Sequence, residues 1–188
     1  MKQALTDHIQ KIIVLTEEQL ALALSYFKPS SHPKGEILVK EGEFSRHMNF
    51  VLKGCLRIYF IREDGQEATR HLAFEHQFAT GLASFIRNKP SFEYMQVMED
   101  SELLRITRED FYDLLNLIPV WEKFYRYYLE DAYINNLEIF QREITKDAEL
   151  RYKELLERNP HVVMRLPNKI VASYLNMSPE TLSRVKSR

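Results

Sequence analysis

Apolar residues recur at two different periods along this chain, and the changes of period divide it. Leu5, Ile9, Ile12 and Ile13, followed by Leu20, Leu24 and Phe27, keep a helical spacing. Thr16 with Gln19 three residues later predicts a capping box at the start of the second turn of helix. The two prolines of Lys28-Pro29-Ser30-Ser31-His32-Pro33 end that pattern. From Lys34 to about Thr107 the period falls to two. Glu36–Val39, Phe50–Leu52, Leu56–Ile61, Glu67–Phe74, Phe92–Met98 and Glu102–Ile106 read as short strands. Glu63-Asp64-Gly65-Gln66 is a hairpin turn, and within Leu56–Ile61 the apolar residues Leu56, Ile58 and Phe60 alternate with Arg57, Tyr59 and Ile61. Many short strands with glycine at the turns predict a closed β-barrel or jelly roll.

Helical spacing returns at Arg108 with Phe111, Leu114 and Leu115, and Pro119 interrupts it. Val120 to about Ile144 then runs without proline or glycine, which predicts one long helix. Its apolar residues occupy more than one side: Trp121, Tyr125, Tyr128, Ala132 and Ile139 on one, Phe124, Tyr127, Ile134 and Leu137 on another. A helix apolar on several sides has to be covered on several sides. Lys146-Asp147-Ala148-Glu149 opens a charged helix that turns Leu155 and Leu156 inward and stops at Asn159-Pro160. Leu166-Pro167 leads into a final pair of short helices. In the first, Ile170, Ala172 and Leu175 set the buried spacing; the turn falls at Asn176, which tolerates left-handed backbone. Ser178 caps the second, Pro179 takes its first position and Glu180 lies at the positive end of its dipole. The fold class is therefore α+β: a β-roll over 1–117, a long helix over 118–145 and a small helical domain over 146–188.

Length and composition keep that division and narrow the function. A chain of 188 residues holds one domain of about 140 residues and a small second one. No apolar run nears the roughly 20 residues that span a bilayer, and MKQALTDHIQK has no signal-peptide core, so no membrane partner and a cytoplasmic location are expected. One cysteine, Cys55, forms no disulfide within the chain and holds no iron–sulfur cluster alone. The histidines at 8, 32, 47, 71, 76 and 161 form no His-x-His pair, so neither a metal nor a catalytic centre is expected. Net charge is −1, yet from Arg165 onward five basic residues stand against one acidic residue. Glu180 and Arg184 share a face of the last helix, and both have partners in a DNA major groove: guanine O6 and N7 for arginine, cytosine N4 for glutamate.

IVASYLNMSPETLSRVKSR resembles the helix-turn-helix of the cyclic-AMP receptor/fumarate-nitrate regulator (Crp–Fnr) family of bacterial transcription factors. The resemblance is carried by Ile170-Val171-Ala172, Leu175, Ser178 and Glu180-Thr181-Leu182-Ser183-Arg184. Asn176 stands where glycine is usual, Pro179 where a DNA-contacting arginine is often found, and no residues follow Arg188 for the usual β-hairpin wing. KGEILVKEGEFSRHMNFVLKGCLRIYFIREDGQE, with Gly35, Gly42, Gly54 and Gly65, resembles the sensor roll of the same family.

The resemblance implies a homodimeric DNA-binding regulator, not an enzyme, acting on a near-palindromic operator and with RNA polymerase. Glu180 and Arg184 would read bases, with Ser178, Thr181, Ser183, Lys186 and Arg188 on phosphates. The dimer helix would present Trp121, Phe124, Tyr125, Tyr128, Ala132 and Ile139. Nucleotide-binding members clamp phosphate and ribose with a Gly-Glu pair and an Arg-Ser or Arg-Thr about ten residues on. Here Gly81-Leu82 and Ser91-Phe92 occupy those places, so cyclic AMP is not expected as a cofactor and the effector is unidentified. Gly81, Leu82, Phe85, Arg87, Ser91, Phe92 and Tyr94 are the candidates to line an effector pocket. The competing expectation is a cupin-like β-barrel that binds a small molecule and carries a vestigial helical tail.

Overall fold

The structure, a computed structural model, describes residues 2–187. It divides into two compact units: residues 1–58 with 72–130, and residues 59–71 with 131–188. Helix α5 (Trp121–Thr145) and the tip of the β4–β5 hairpin contribute to the second unit, so this division differs from the linear one the sequence suggested.

Two four-stranded sheets make the roll. One has the order β1 (Lys28–His32), β8 (Ser101–Thr107), β3 (His47–Lys53), β6 (Phe78–Ala79). The other runs β2 (Ile37–Val39), β7 (Tyr94–Val97), β4 (Leu56–Ile61), β5 (Glu67–Ala73). Alternation divides the side chains: Val51 and Leu103 join Val39, Leu56, Ile58, Ala73, Met95 and Val97 in one apolar cluster. Met48, Phe50, Leu104 and Ile106 belong instead to a second cluster with helices α1 (Gln3–Gln10), α2 (Glu17–Tyr26) and α4 (Arg108–Leu117). The Thr16–Gln19 capping box forms as the spacing predicts, and Thr107 caps α4 through the Asp110 amide.

Three elements depart from the sequence reading. Lys28–His32 is a strand, and it accommodates Pro29 because it lies at a sheet edge, with hydrogen bonding required on one side only. The two-residue strand β6 and the short helix α3 (Leu82–Arg87) are set by tertiary context and leave no period to read. Arg57, which alternation placed opposite the core residues, is fully buried. Glu93 is buried too, at 4 % exposure.

The start of α5 closes the first unit. Trp121 and Phe124 are 0 % and 1 % exposed. Their rings lie 4.7 Å apart, and Phe124 meets Phe78 edge-on at 5.7 Å. Tyr125 and Tyr128 pack against the same cluster, and the Phe111 ring is 5.2 Å from Tyr125. Trp121 and Phe124, expected on a dimer face, are thus buried in the chain's own core, and Tyr125 and Tyr128 are half-buried beside it. Ala132 and Ile139 are half-buried. The apolar residues that α5 leaves outside are Tyr127, Tyr133, Ile134, Leu137, Phe140 and Ile144, all at least 48 % exposed.

The second unit is built on α6 (Ala148–Arg158), α7 (Pro160–Arg165), α8 (Asn168–Tyr174) and α9 (Pro179–Lys186). Asp147 caps α6 through the Leu150 amide. Pro160, placed at a helix end by the sequence reading, instead starts α7, where its missing N–H costs nothing. Leu155 is buried as expected, but Leu156 is 40 % exposed.

Gly54 has the least room of the glycines for an added Cβ. Its φ is +100°, and a Cβ built there would lie 2.9 Å from the Ser101 Cα. Gly65 also has positive φ, at +79°, but opens onto free space. Gly54→Ala should cost roughly 2–4 kcal/mol, combining left-handed strain with overpacking, against roughly 1–2 kcal/mol for Gly65→Ala. Urea denaturation of the two variants tests that order.

Candidate nucleic-acid interface

Helix α8 buries Ile170, Val171 and Ala172, and α9 buries Leu182. The two helices contact each other, and α6 contacts α9 from behind. The turn between them depends on Asn176 at φ +50°, which lets the Met177 amide reach back to the Ala172 carbonyl at 3.0 Å. Ser178 Oγ accepts from the Thr181 amide at 3.1 Å. The same hydroxyl, with Glu180's own backbone amide, holds the Glu180 carboxyl below the usual carboxylate range.

The residues expected to meet DNA are not all equally free. Ser178, Glu180, Ser183 and Arg184 are exposed on α9 or at its start. Thr181 is half-buried, and its hydroxyl accepts from Arg184 Nη2 at 3.2 Å, which steadies the guanidinium along the helix. Lys186 is exposed but engaged: its Nζ donates to Asn168 Oδ1 at 2.6 Å and lies 6.0 Å above the Tyr152 ring. Arg188 lies outside the described residues.

The sequence reading missed what holds this helix pair from the other side. In the second unit the β4–β5 hairpin carries Thr69, whose amide donates to Ser173 Oγ at 2.9 Å. Ser173 Oγ in turn donates to the Glu67 carbonyl at 2.7 Å. Arg62 Nη2 donates to Asn176 Oδ1 at 2.6 Å, so the left-handed turn residue is gripped by its side chain as well. The sequence signal was slight: one small polar residue, Ser173, between the buried Ala172 and Leu175.

In the roll, the structure brings two effector-pocket candidates together and separates the others. Gly81 and Ser91 adjoin, a Cβ on Gly81 falling 3.4 Å from Ser91 Oγ and 3.1 Å from Ser45 Cβ. The hydroxyls there serve one another and the backbone: Gly81 N donates to Ser45 Oγ, Ser45 Oγ pairs with Thr80 Oγ1, and Ser91 Oγ donates to the Glu93 carbonyl. Leu82 and Tyr94 are half-buried, and Arg87 and Phe92 are exposed. Phe85 is fully buried, its ring edge-on to Phe111 at 5.7 Å. Among the described residues no three histidine, cysteine, aspartate or glutamate side chains are placed to hold a metal. None of their helices is long and apolar enough to cross a membrane.

The model of the cyclic nucleotide-binding domain family matches residues 29–117. A cyclic AMP receptor protein of Thermus thermophilus is 29 % identical over 106 residues, covering 56 % of this chain and 49 % of that protein. The match thus spans about half of the relative's length. Among solved structures, FixK2 of Bradyrhizobium japonicum superposes with a TM-score of 0.74 at 16 % identity, over 86 % of this chain and 83 % of the other. The global regulator CLP of Xanthomonas campestris gives 0.70 at 16 % identity, over 92 % and 90 %. Residues 29–117 thus match the cyclic nucleotide-binding domain family, and the fold of the chain is similar to that of these two regulators. The matched residues run from β1 through α4, and so take in the roll.

One histidine makes the hairpin of the second unit sensitive to acid. Burial first, and the Arg70 guanidinium second, lower the pKa of His71 from 6.5 to about 4. Between those values the unfolded chain binds the proton and the folded chain does not, so stability falls as pH falls. The stabilisation is complete above pH 6.5 and is lost as pH falls through about 4, with a total of roughly 3 kcal/mol. Equilibrium unfolding at intervals from pH 7 to 5 should show this slope in the wild type and a flatter one in His71→Gln.

Proposed function

We propose that this protein is a homodimeric, sequence-specific DNA-binding regulator of transcription. Residues 1–117 form its sensor, 118–145 its dimerisation helix and 146–188 its reading head. The observation that carries the proposal is the face of α9: Glu180 and Arg184 are both solvent-facing one helical turn apart, on a helix whose opposite side is fixed by Leu182. A glutamate and an arginine so placed present an acceptor and a two-pronged donor to base edges.

Ser178, Thr181, Ser183, Lys186 and Arg188 then contact phosphates, which set register and affinity without reading sequence. Lys186 exchanges its Asn168 bond for a phosphate oxygen, a stronger acceptor because it is charged. Two copies place their α9 helices in successive major grooves, about 34 Å apart, on a near-palindromic operator. The free apolar face of α5 supports the pairing: Tyr127 and Ile134, Tyr133 and Phe140, Leu137 and Ile144 each repeat after seven residues, the spacing of helices that wind around one another. RNA polymerase is the partner downstream, and the cytoplasm is the compartment. Cyclic AMP is not the effector, because Ser91-Phe92 stands where nucleotide-binding members place the arginine that clamps its phosphate.

Sites selected from a random DNA pool provide the test. In mobility shifts Arg184→Ala should lose roughly 1–3 kcal/mol per half-site and relax preference at one base pair. Lys186→Ala should weaken all sequences alike and lower the salt dependence by about one counterion. Wild-type behaviour of both variants contradicts the assignment.

A further inference from the structure

A second opening in the roll is lined by Leu38, Val39, Phe44, Arg46, His47, Asn49 and Arg105, with a cavity of about 200 Å³. None of the Gly81–Tyr94 candidates lines it. Two of its polar groups are guanidinium donors, Arg46 and Arg105. Arg105 is half-buried, and its Nε donates to Asn49 Oδ1 at 3.0 Å. Asn49 is itself buried and held through its Nδ2 by the Ala79 carbonyl at 3.0 Å, so it fixes the direction of the guanidinium. Among the described residues the terminal nitrogens of Arg105 have no hydrogen-bond partner. The Arg46 guanidinium has none either, and it lies 5.7 Å over the Phe44 ring. Glu36 contributes negative charge nearby, but its carboxylate already accepts from His32 Nδ1 at 3.0 Å.

We propose that this cavity binds a small organic carboxylate, its charged end between Arg46 and Arg105 and its apolar body against Leu38, Val39 and Phe44. Two guanidinium forks with free N–H groups match a carboxylate, and burial of one of them strengthens the pairing. The apolar wall gives a bare inorganic ion nothing to contact. Cavity size excludes larger ligands, since sites for drug-sized molecules run roughly 300–1,000 Å³. Glu36 disfavours a dianion. His47 reports on the site: burial first, then Arg105, then Arg46, lower its pKa, while Glu109 and Asp110 raise it. A bound anion opposes the two arginines and raises it further. This site stands apart from the DNA-binding proposal, and its test uses no DNA.

The probe is benzoate, titrated at millimolar concentration into the full chain while the His47 ring is followed by NMR; benzamide and inorganic phosphate are the comparisons. Saturable shifts with benzoate alone, and a His47 titration midpoint that rises when benzoate is bound, are expected. Arg105→Gln and Arg46→Gln should each weaken benzoate roughly tenfold or more, the worth of one charge-assisted hydrogen bond. Arg46 is exposed, so its variant decides the question even where Arg105→Gln does not fold. No saturation with benzoate, an equal response to benzamide, tighter binding of phosphate, or unchanged affinity in the Arg46 variant overturns the proposal.

Discussion

Helix α5 carries apolar side chains on two faces, and a single copy of the chain buries only one of them. The first face, at Trp121 and Phe124, completes the aromatic cluster of the roll. The second, from Tyr127 to Ile144, stays in water. Burying a side chain of this size is worth roughly 1.5–3 kcal/mol, while association of two proteins costs on the order of 4–15 kcal/mol. Six such residues from each of two copies exceed that cost. A long helix does not keep such a face exposed without reason, since a contiguous apolar strip invites indiscriminate contact. In the proposed dimer, pairing of two α5 helices would remove the strip and, for a reading head made of one short helix, would supply the second half-site that affinity needs.

The head itself is assembled from weak parts that reinforce one another. Helix α9 has eight residues, too few to be stable alone. It is held by the Ser178 cap, by Leu182 packed inward and by the turn at Asn176. That turn is a left-handed residue without the conformational freedom of glycine, so its side chain matters. Arg62 binds the Asn176 amide oxygen, and Thr69 and Glu67 engage Ser173 one helix back. The hairpin thus contributes to the stability of the head, and burial of the neutral His71 in the same hairpin gives that stability its dependence on acid.

Much of this was legible in the sequence, for reasons that differ between elements. The capping box at Thr16, the hairpin turn at Gly65, the left-handed Asn176 and the Ser178–Pro179 helix start are local signals, and each formed where its residues predicted. The resemblance to the Crp–Fnr family ordered these elements into a roll, a long helix and a helix pair. What escaped was set by tertiary context. Strand β1 is hidden by Pro29, which only an edge position tolerates, and no periodicity marks the two residues of β6. Alternation put Arg57 outside, although it is fully buried within the fold. The two-sided apolar pattern of α5 was plain, but which side the roll would take depended on where Phe78 and Phe111 meet it. Likewise Arg46, Asn49 and Arg105 are scattered in sequence and converge only because β3 and β8 pair, with Asn49 opposite Arg105.

Self-association through the outer face of α5 is the proposition on which operator spacing and affinity both rest. Sedimentation equilibrium of the wild type and of Leu137→Glu, at micromolar concentration, measures it directly. The wild type should sediment at twice the chain mass of 22.4 kDa, and the variant, still folded by circular dichroism, at that mass. A wild-type protein that remains a monomer at these concentrations, or a Leu137→Glu variant that dimerises as the wild type does, contradicts it.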